Sequence, residues 1–366
     1  MKKAVSVLLA AAMTAALVVG CGSGGDKSGG DGGSKSAGNV HVFYYSYSDA
    51  YISTVRTALD KQWEDLGIKY TDYDGNGTQQ TQTEQVQTAL SSGADLLVVN
   101  IVETGSDDAA NTIINAAKEK DVPVIFFNRE VSDEVVNGYD KCAFVGTDAA
   151  EAGHMQGDMI GKYLVENFDK VDLNKDGKIS YAMFKGQEGN AEANMRTQYS
   201  VEDADKVLEQ NGKAKLEYYD TSNPNKYQVD QDGQWSAKAA QDYMATALGK
   251  YNDASGNMIE LVICNNDNMA EGAISALQTV GYNKEGGDKT IPVFGVDATD
   301  AAKSLISKGQ MVGTIKQDAE GMAKAIATSA QNGLGDKDLL DGMDDYTIDE
   351  SVAKVRIAYQ TYLGEE

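Results

Sequence analysis

Leu96-Leu-Val-Val-Asn100 is an apolar run that ends in asparagine, and after a helical pattern Val122-Pro-Val-Ile-Phe-Phe-Asn128 repeats the arrangement. Runs this continuous and rich in β-branched residues are typical of strands that are covered on both faces of a sheet. A strand, a helix and a second strand in succession predict parallel pairing through a right-handed crossover. Polar residues at such strand ends lie where ligands bind in open α/β sheets.

The same alternation continues along the chain and predicts an α/β fold with parallel sheets. Asp148 and Glu151 form a capping-box pattern at the start of one predicted helix. About ten strands are too many for one comfortable doubly wound sheet, so we expect two Rossmann-like lobes. The predicted strands are residues 40–45, 68–72, 96–100, 122–127, 143–146, 179–184, 215–219, 260–264, 291–296 and 311–315.

The N-terminus has the pattern of a secreted lipoprotein. Residues 1–20 combine Lys2 and Lys3 with a short apolar run, which predicts a signal peptide rather than a spanning helix. The run ends Leu17-Val-Val-Gly-Cys21, which resembles a bacterial lipobox and predicts a lipid on Cys21; the alternative is ordinary cleavage beside an incidental cysteine. Residues 21–38, rich in glycine and serine, predict a flexible tether.

Composition excludes several classes of function. The net charge is -24, with no basic face for nucleic acid. The chain has two histidines and none of the zinc, P-loop or G-x-S-x-G patterns, so nothing in it indicates an enzyme.

Cys142 and Cys264 lie in or beside apolar runs and are expected to be buried free thiols, although a disulfide between them is possible.

Carboxylate and amide side chains follow nearly every predicted strand. Any one of them is readily explained as a helix cap. Together on one edge they can pair with vicinal hydroxyl groups, and Tyr51 and Trp235 could cover the apolar face of a sugar ring, or simply pack in the interior. The strand-end residues are Asp49, Asn100, Asn128, residues 265–267, Asp297 and Gln317.

Residues 172–180 read D-x-N-x-D-G-x-I-S, the first nine positions of an EF-hand calcium loop. The candidate oxygen ligands are Asp172, Asn174, Asp176, the carbonyl of Lys178, and Ser180. The usual glutamate at position twelve is Met183 here. Either the loop no longer binds metal, or an acid from elsewhere in the chain completes it.

From residue 40 to about 363 the chain resembles the bacterial galactose/glucose-binding proteins, which are extracytoplasmic sugar receptors of ABC transporters with a type I two-lobe fold. The matching stretches are Val98-Val-Asn100, Val122-Pro-Val-Ile-Phe-Phe-Asn-Arg-Glu130, Tyr139-Asp-Lys141, Val145-Gly-Thr-Asp148, Gln156-Gly-Asp158, residues 172–177, Asn265-Asn-Asp-Asn-Met269 and Ile291-Pro-Val-Phe-Gly-Val-Asp-Ala298.

The resemblance implies which residues contact the sugar and the metal. Arg196 would lie near the ring oxygen, with Tyr51 below the ring and Trp235 above it. Glu260 would supply the missing acid of a structural Ca²⁺ site. Asp49, Asn100, Asn266 and Asp297 would hydrogen-bond the hydroxyl groups.

Four positions depart from the family pattern. Asn190 and Glu192 stand where the family usually has histidine and aspartate, and Gln317 replaces a hinge asparagine. These changes keep hydrogen-bonding capacity but alter its reach, so they bear on which sugar is bound. Ser180 replaces a longer amide ligand, and its hydroxyl is expected to reach a metal through water.

We therefore predict a lipid-anchored, monomeric hexose-binding protein that closes around its ligand and delivers it to an ABC permease. The first lobe is predicted to comprise residues 39–121 and 318–351, and the second residues 122–317 and 352–366, joined by a multi-segment hinge. The alternatives are a sugar sensor for a chemoreceptor or membrane kinase, a glycoside-processing enzyme, and a calcium-dependent surface protein without a small ligand.

Overall fold

The computed structural model describes residues 38–349 and 351–364. The predicted signal peptide, Cys21 and nearly all of the predicted tether lie outside the described residues. Within the described part of the chain, no helix has both the length and the apolar character needed to cross a bilayer.

The first lobe contains one sheet with helices on both faces. Its strands occur in the order β12-β13-β5-β4-β3-β1-β2, and only the β12–β13 pair is antiparallel. Its elements are β1 (Asn39–Tyr44), α1 (Ala50–Leu66), β2 (Lys69–Asp74), α2 (Gln79–Ser91), β3 (Leu96–Val99), α3 (Asp108–Lys118), β4 (Val124–Phe127), α4 (Asp133–Asn137), β5 (Cys142–Gly146), α10 (Ala319–Leu334), β12 (Thr347–Ile348) and β13 (Lys354–Arg356).

The second lobe repeats this architecture. Its main sheet has the order β14-β11-β10-β9-β6-β7, with β8 paired to β6, and β14 is the antiparallel strand. Its elements are α5 (Ala149–Val171), β6 (Ser180–Lys185), α6 (Ala191–Gln210), β7 (Glu217–Tyr218), β8 (Gln228–Val229), α7 (Ala237–Leu248), β9 (Leu261–Cys264), α8 (Asp267–Thr279), β10 (Val293–Asp297), α9 (Asp300–Ser307), β11 (Gly313–Lys316) and β14 (Gln360–Tyr362).

The apolar runs form strands where the sequence predicts them, and each of the ten predicted strands overlaps a strand of the structure. In β3, Leu96 and Val98 face one hydrophobic cluster while Leu97 and Val99 face another, so the strand is covered on both sides. Asp148 caps α5 as predicted, accepting a hydrogen bond from the Ala150 amide at 2.9 Å. The short strands β8, β12, β13 and β14 lack a long apolar run and were not predicted.

The predicted lobe boundaries were wrong in two places. Residues 122–146 were assigned to the second lobe, but β4 pairs with β3 and β5 pairs with β4, in the first sheet. Residues 352–356 were assigned to the second lobe as well, but β13 pairs with β5. The chain therefore crosses between the lobes at residues 147–148, 317–318 and 357–359, which form the multi-segment hinge.

Cys142 and Cys264 are buried free thiols, as expected. Cys142 lies in the first sheet and Cys264 in the second. Burial raises the pKa of the Cys142 thiol to about 12 and that of Cys264 well above its usual range. Both therefore act as small apolar side chains of the core rather than as reactive groups.

Candidate functional site

Side chains from the ends of strands in both lobes line one cavity of about 370 Å³, a volume that includes space open to solvent. All the residues predicted to bind sugar line it except Asn100. The lining residues are Tyr45, Asp49, Tyr51, Ile52, Asn128, Arg129, Asn190, Glu192, Arg196, Trp235, Asn266, Asp297 and Gln317.

Asn100 lies behind the cavity wall, contrary to its predicted contact with the sugar. It is fully buried, and its side-chain amide donates to the Phe127 carbonyl at 3.1 Å and to Asn128 Oδ1 at 3.2 Å. Its Oδ1 accepts from the Tyr45 amide at 3.3 Å. All its polar atoms are thus used in holding the ends of β1, β3 and β4 together, and Asn100 positions the wall rather than the ligand.

On the first-lobe side, Asp49 connects a helix start to the cavity. Its Oδ1 accepts from the Ile52 amide at 2.8 Å, which caps α1, and its Oδ2 accepts from the Tyr45 hydroxyl at 2.5 Å. Burial, with the neighbouring Asp49, raises the pKa of Tyr45 well above its usual range, so this hydroxyl remains a donor. Asp49 therefore both caps α1 and lines the cavity.

Arg129 was not predicted from the sequence. Its guanidinium carbon lies 4.1 Å from the centre of the Tyr45 ring, and the group donates to Gln187 of the second lobe. The only available signal was its position directly after Asn128, at the end of a buried strand. Tyr45, which follows β1, and Ile52 were not predicted either. Aromatic and apolar residues at such positions are equally well explained by packing in the interior.

On the second-lobe side, Arg196 makes a set of contacts that fixes its guanidinium group. Nη1 donates to the Asn265 carbonyl at 3.0 Å. Nη2 donates to Gln317 Oε1 at 3.3 Å and to the Tyr359 hydroxyl at 2.9 Å. The Trp235 ring centre is 5.7 Å from the guanidinium carbon. The charged group is thereby held at one edge of the cavity.

Trp235 is held against the backbone of the second lobe. It has a left-handed backbone conformation, φ 54°, and its carbonyl accepts from the Asn266 side chain at 3.3 Å. Its ring covers Gly186, where a Cβ atom would overlap the indole. Trp235 is 7% exposed, so its ring forms part of the cavity wall rather than an open surface.

Two asparagines of this lobe cap helices and line the cavity at the same time. Asn190 Oδ1 accepts from the Ala193 amide at 2.9 Å at the start of α6. Asn266 Oδ1 accepts from the Met269 amide at 2.9 Å at the start of α8. The side-chain nitrogens take no part in capping. That of Asn190 donates to Thr104 Oγ1 of the other lobe at 3.3 Å.

Burial dominates the electrostatics of the carboxyl groups here. It raises the pKa of Asp297 well above its usual range, the neighbouring Asp267 adds to the effect, and Arg196 opposes it. Burial also raises the pKa of Asp267 to about 7 and raises that of Glu192. Burial therefore works against the charged form of these carboxyl groups.

Several buried polar atoms around the cavity have no hydrogen-bond partner among the described residues. Buried polar groups are almost always partnered in folded proteins. The side chains concerned supply mainly donors, which would suit the oxygens of a small polar ligand. The atoms are Arg129 Nε and Nη1, Glu192 Oε2, Arg196 Nε and Gln317 Nε2.

Glu260 closes the predicted calcium loop from a distant part of the chain. Its Oε1 accepts from the Leu173 amide at 2.7 Å, and its Oε2 accepts from the Ser180 amide at 2.9 Å. The Ser180 hydroxyl donates to the Met258 carbonyl at 3.0 Å. Asp172 Oδ2 accepts from the Gly177 amide at 3.0 Å, as the turn of such a loop requires.

This donor set consists of oxygens alone, which is the chemistry that Ca²⁺ prefers, and in that respect it fits the ion. However, no group of three His, Cys, Asp or Glu side chains close enough to hold a metal occurs in the described part of the chain. In this arrangement the carboxylates of Asp172 and Glu260 face loop amides. The metal site therefore stays a prediction.

Two lobes built on mainly parallel sheets, joined by three crossings around a buried polar cavity, define a two-lobe solute-binding protein. The chain belongs to the family described as periplasmic binding protein domain, whose family model matches residues 40–338. This confirms the predicted family and fold. The family comprises extracytoplasmic binding proteins rather than enzymes.

Relatives of this chain carry related descriptions. It is 35% identical over 294 residues to the D-galactose/methyl-galactoside binding periplasmic protein of Haemophilus influenzae, covering 80% of each chain. It is 25% identical over 279 residues to the D-xylose-binding periplasmic protein of Escherichia coli, covering 75% of this chain and 71% of that one.

Solved structures share the fold. An ABC transporter solute binding protein from Bacillus halodurans with bound myo-inositol has a TM-score of 0.67 at 23% identity, covering 90% of this chain and 96% of that one. One from Clostridium phytofermentans with bound β-D-glucose has a TM-score of 0.66 at 19% identity, covering 88% and 93%.

Proposed function

We propose that this protein captures a D-galactose- or D-glucose-like hexose in the cavity between its lobes and delivers it to an ABC importer. The observation that carries the proposal is the set of buried, unpartnered donors and acceptors around a cavity walled by Trp235. Vicinal hydroxyl groups would satisfy those atoms, and the indole would cover an apolar ring face. The 35% identity to a galactose-binding protein supports the same ligand class.

Closure of the lobes is the proposed mechanism. The Glu130 amide donates to Glu192 Oε1 at 3.2 Å, and Asn190 donates to Thr104, so two residues that line the cavity also hold the lobes together. A sugar that touches both lobes binds the closed form better and shifts the population towards it. The importer would then recognise the closed form, and no covalent bond is made or broken.

The mature protein is proposed to be a monomer anchored to the outer face of a membrane by a lipid on Cys21. The lipobox-like sequence and the glycine-rich tether support this location. Within the cavity, Asn190, Glu192 and Gln317 are proposed to decide between galactose and glucose. They differ from the family pattern in length, and a side chain longer by one carbon shifts its hydrogen bond relative to the hydroxyl groups.

Titration with hexoses is expected to change the tryptophan emission in a saturable way. The chain has two tryptophans, and Trp63 is buried in the core of the first lobe, so the signal should come from Trp235. Trp235→Ala should weaken binding by about a hundredfold, measured by calorimetry, because it removes an aromatic wall. Trp63→Phe is the matched control and should retain both the binding and the emission change.

The proposal fails if no monosaccharide alters the emission or the melting temperature of the wild-type protein. Xylose and other pentoses serve as comparison ligands, and tighter binding of a pentose would overturn the hexose assignment. Hydrolysis of a chromogenic galactoside or glucoside would contradict a purely binding function.

A structural Ca²⁺ ion is the second proposal, held by Asp172, Asn174, Asp176, the Lys178 carbonyl, Ser180 and Glu260. The position of Glu260 between the two ends of the loop supports it. Such an ion would hold the start of β6 to the end of the segment that leads into β9. It would stabilise the second lobe without taking part in sugar binding.

Chelation is expected to lower the melting temperature by roughly 5 °C, because a bound ion stabilises the folded state by mass action. Scanning calorimetry with and without chelator measures the shift, and restoring Ca²⁺ should reverse it. Glu260→Gln should melt early and should no longer respond to chelator. An unchanged wild-type melt after verified metal removal would eliminate the proposed ion.

A further inference from the structure

The hydroxyl group of Tyr359 lies where all three crossings between the lobes meet. Tyr359 belongs to the third crossing, and its hydroxyl is 2.7 Å from Thr147 Oγ1 in the first. Arg196 Nη2 donates to the same hydroxyl at 2.9 Å and to Gln317, in the second crossing, at 3.3 Å. One guanidinium group and one phenol therefore connect the whole hinge.

The third crossing is also attached firmly to the first lobe. The Ile357 amide donates to the Gly146 carbonyl at 2.7 Å, and Arg356 Nη1 donates to the Thr147 carbonyl at 2.8 Å. Tyr359 comes directly after these contacts and reaches Arg196 on α6 of the second lobe. Its hydroxyl therefore lies at the point where the chain passes from one lobe to the other.

Arg196 connects this point with the cavity. It lines the cavity, and its Nε has no partner among the described residues, whereas its two terminal nitrogens are bonded to Asn265 and to the hinge. A guanidinium group is planar, so fixing Nη1 and Nη2 fixes the direction of Nε as well. A shift of Tyr359 during opening would therefore turn the guanidinium group that lines the cavity.

The Tyr359 hydroxyl is suited to this role in charge and in burial. The side chain is 4% exposed, and burial raises its pKa, although the neighbouring Arg196 opposes this. The hydroxyl remains protonated, accepts from Arg196, and can still donate to Thr147. The ring packs with the hydrophobic cluster of the second lobe that includes Ile315 and Val296. Phenylalanine would keep that packing and remove only the hydroxyl.

We propose that Tyr359 is a positioning residue that couples occupation of the cavity to closure of the hinge by holding Arg196 in its sugar-binding orientation. This inference rests on the proposed sugar binding. It assigns a part in affinity, exerted through Arg196, to the third crossing, which the sequence prediction did not include among the site residues. The coupling passes through three hydrogen bonds, so each bond can be removed separately.

Tyr359→Phe should weaken hexose binding by about 10- to 100-fold, the range for a lost hydrogen bond to a charged group. Most of the change should be a faster dissociation rate, measured by stopped-flow tryptophan emission. Small-angle scattering should show less compaction at saturating sugar than in the wild type. A residue with a purely structural role would lower the melting temperature and leave the dissociation rate unchanged.

The matched control is Tyr218→Phe in the same lobe. Tyr218 is also a buried tyrosine of this lobe, 3% exposed, but it does not line the cavity, so loss of its hydroxyl should leave affinity and dissociation rate unchanged within about twofold. Thr147→Val removes the other end of the same chain of bonds and should weaken binding several-fold. The double variant should resemble Tyr359→Phe alone, because both changes interrupt one network.

Wild-type dissociation and compaction in Tyr359→Phe would overturn the inference, and so would strictly additive effects in the double variant. If Tyr359→Phe does not fold, an unchanged Thr147→Val protein overturns it. Failure of the wild type to bind any monosaccharide is a separate result, which would refute the proposed function itself.

Discussion

Replacement of Arg196 by methionine is expected to reduce hexose affinity by roughly a thousandfold, or about 4 kcal/mol. The guanidinium group bonds the Asn265 carbonyl, Gln317 and Tyr359, and it lies beside Trp235. Methionine fills similar space but removes every one of these donors. Isothermal titration calorimetry with galactose and glucose measures the loss.

Arg196→Lys distinguishes charge from geometry. An ammonium group keeps the positive charge but cannot reproduce the planar arrangement of donors that reaches Asn265, Gln317 and Tyr359 together. It should therefore lose most of the affinity too, while remaining folded by circular dichroism. Wild-type affinity in Arg196→Lys would show that only charge matters, and wild-type affinity in Arg196→Met would remove Arg196 from the sugar site.

Gly157→Val is expected to destabilise the protein by about 3 kcal/mol through helix packing, without any change at the cavity. A Cβ atom at Gly157 would lie 2.6 Å from the Tyr199 carbonyl oxygen and 2.8 Å from the Asp203 Cβ. Gly153, one turn before Gly157 along α5, and Gly161, one turn after it, approach α6 as closely. Backbone atoms cannot move aside as a flexible side chain can, so the two helices must separate.

Chemical denaturation measures this loss as a lower midpoint. Lys162→Val introduces the same side chain on the exposed side of α5 and serves as the control, since Lys162 is 72% exposed. It should cost the helix propensity of valine and an exposed ion pair with Asp158 at 3.9 Å, together about 1 kcal/mol or less. Equal destabilisation by the two variants would show that the close approach at Gly157 is not what limits stability.

The sequence located most of the cavity because of a simple geometric rule. Parallel strands present their carboxyl ends at one edge of a sheet, so polar residues after consecutive strands converge in space. Asp49, Asn266 and Asp297 were found in this way, and the first two also cap helices. Asn100 obeys the same rule, but its side chain makes its hydrogen bonds to neighbouring strand ends. Its position in the sequence could not reveal these contacts.

The residues that the sequence missed owe their role to distant partners. Tyr359 is 163 residues from Arg196 and 212 residues from Thr147 in the chain. Arg129 bonds Gln187 across the lobes. No local pattern marks such pairs, because each residue alone is compatible with ordinary burial. Glu260, at 80 residues from Ser180, was found only through the family resemblance.

The chain by itself determined the alternation of strands and helices, the helix caps, the family and most of the side chains around the cavity. These follow from local hydrophobic periodicity and from short polar motifs. Only the tertiary structure decided which lobe each strand joins, since β4 and β5 have the same local pattern in either sheet. It also decided that the three crossings meet at one hydroxyl group, because strand order and long-range hydrogen bonds depend on contacts between segments far apart in the sequence.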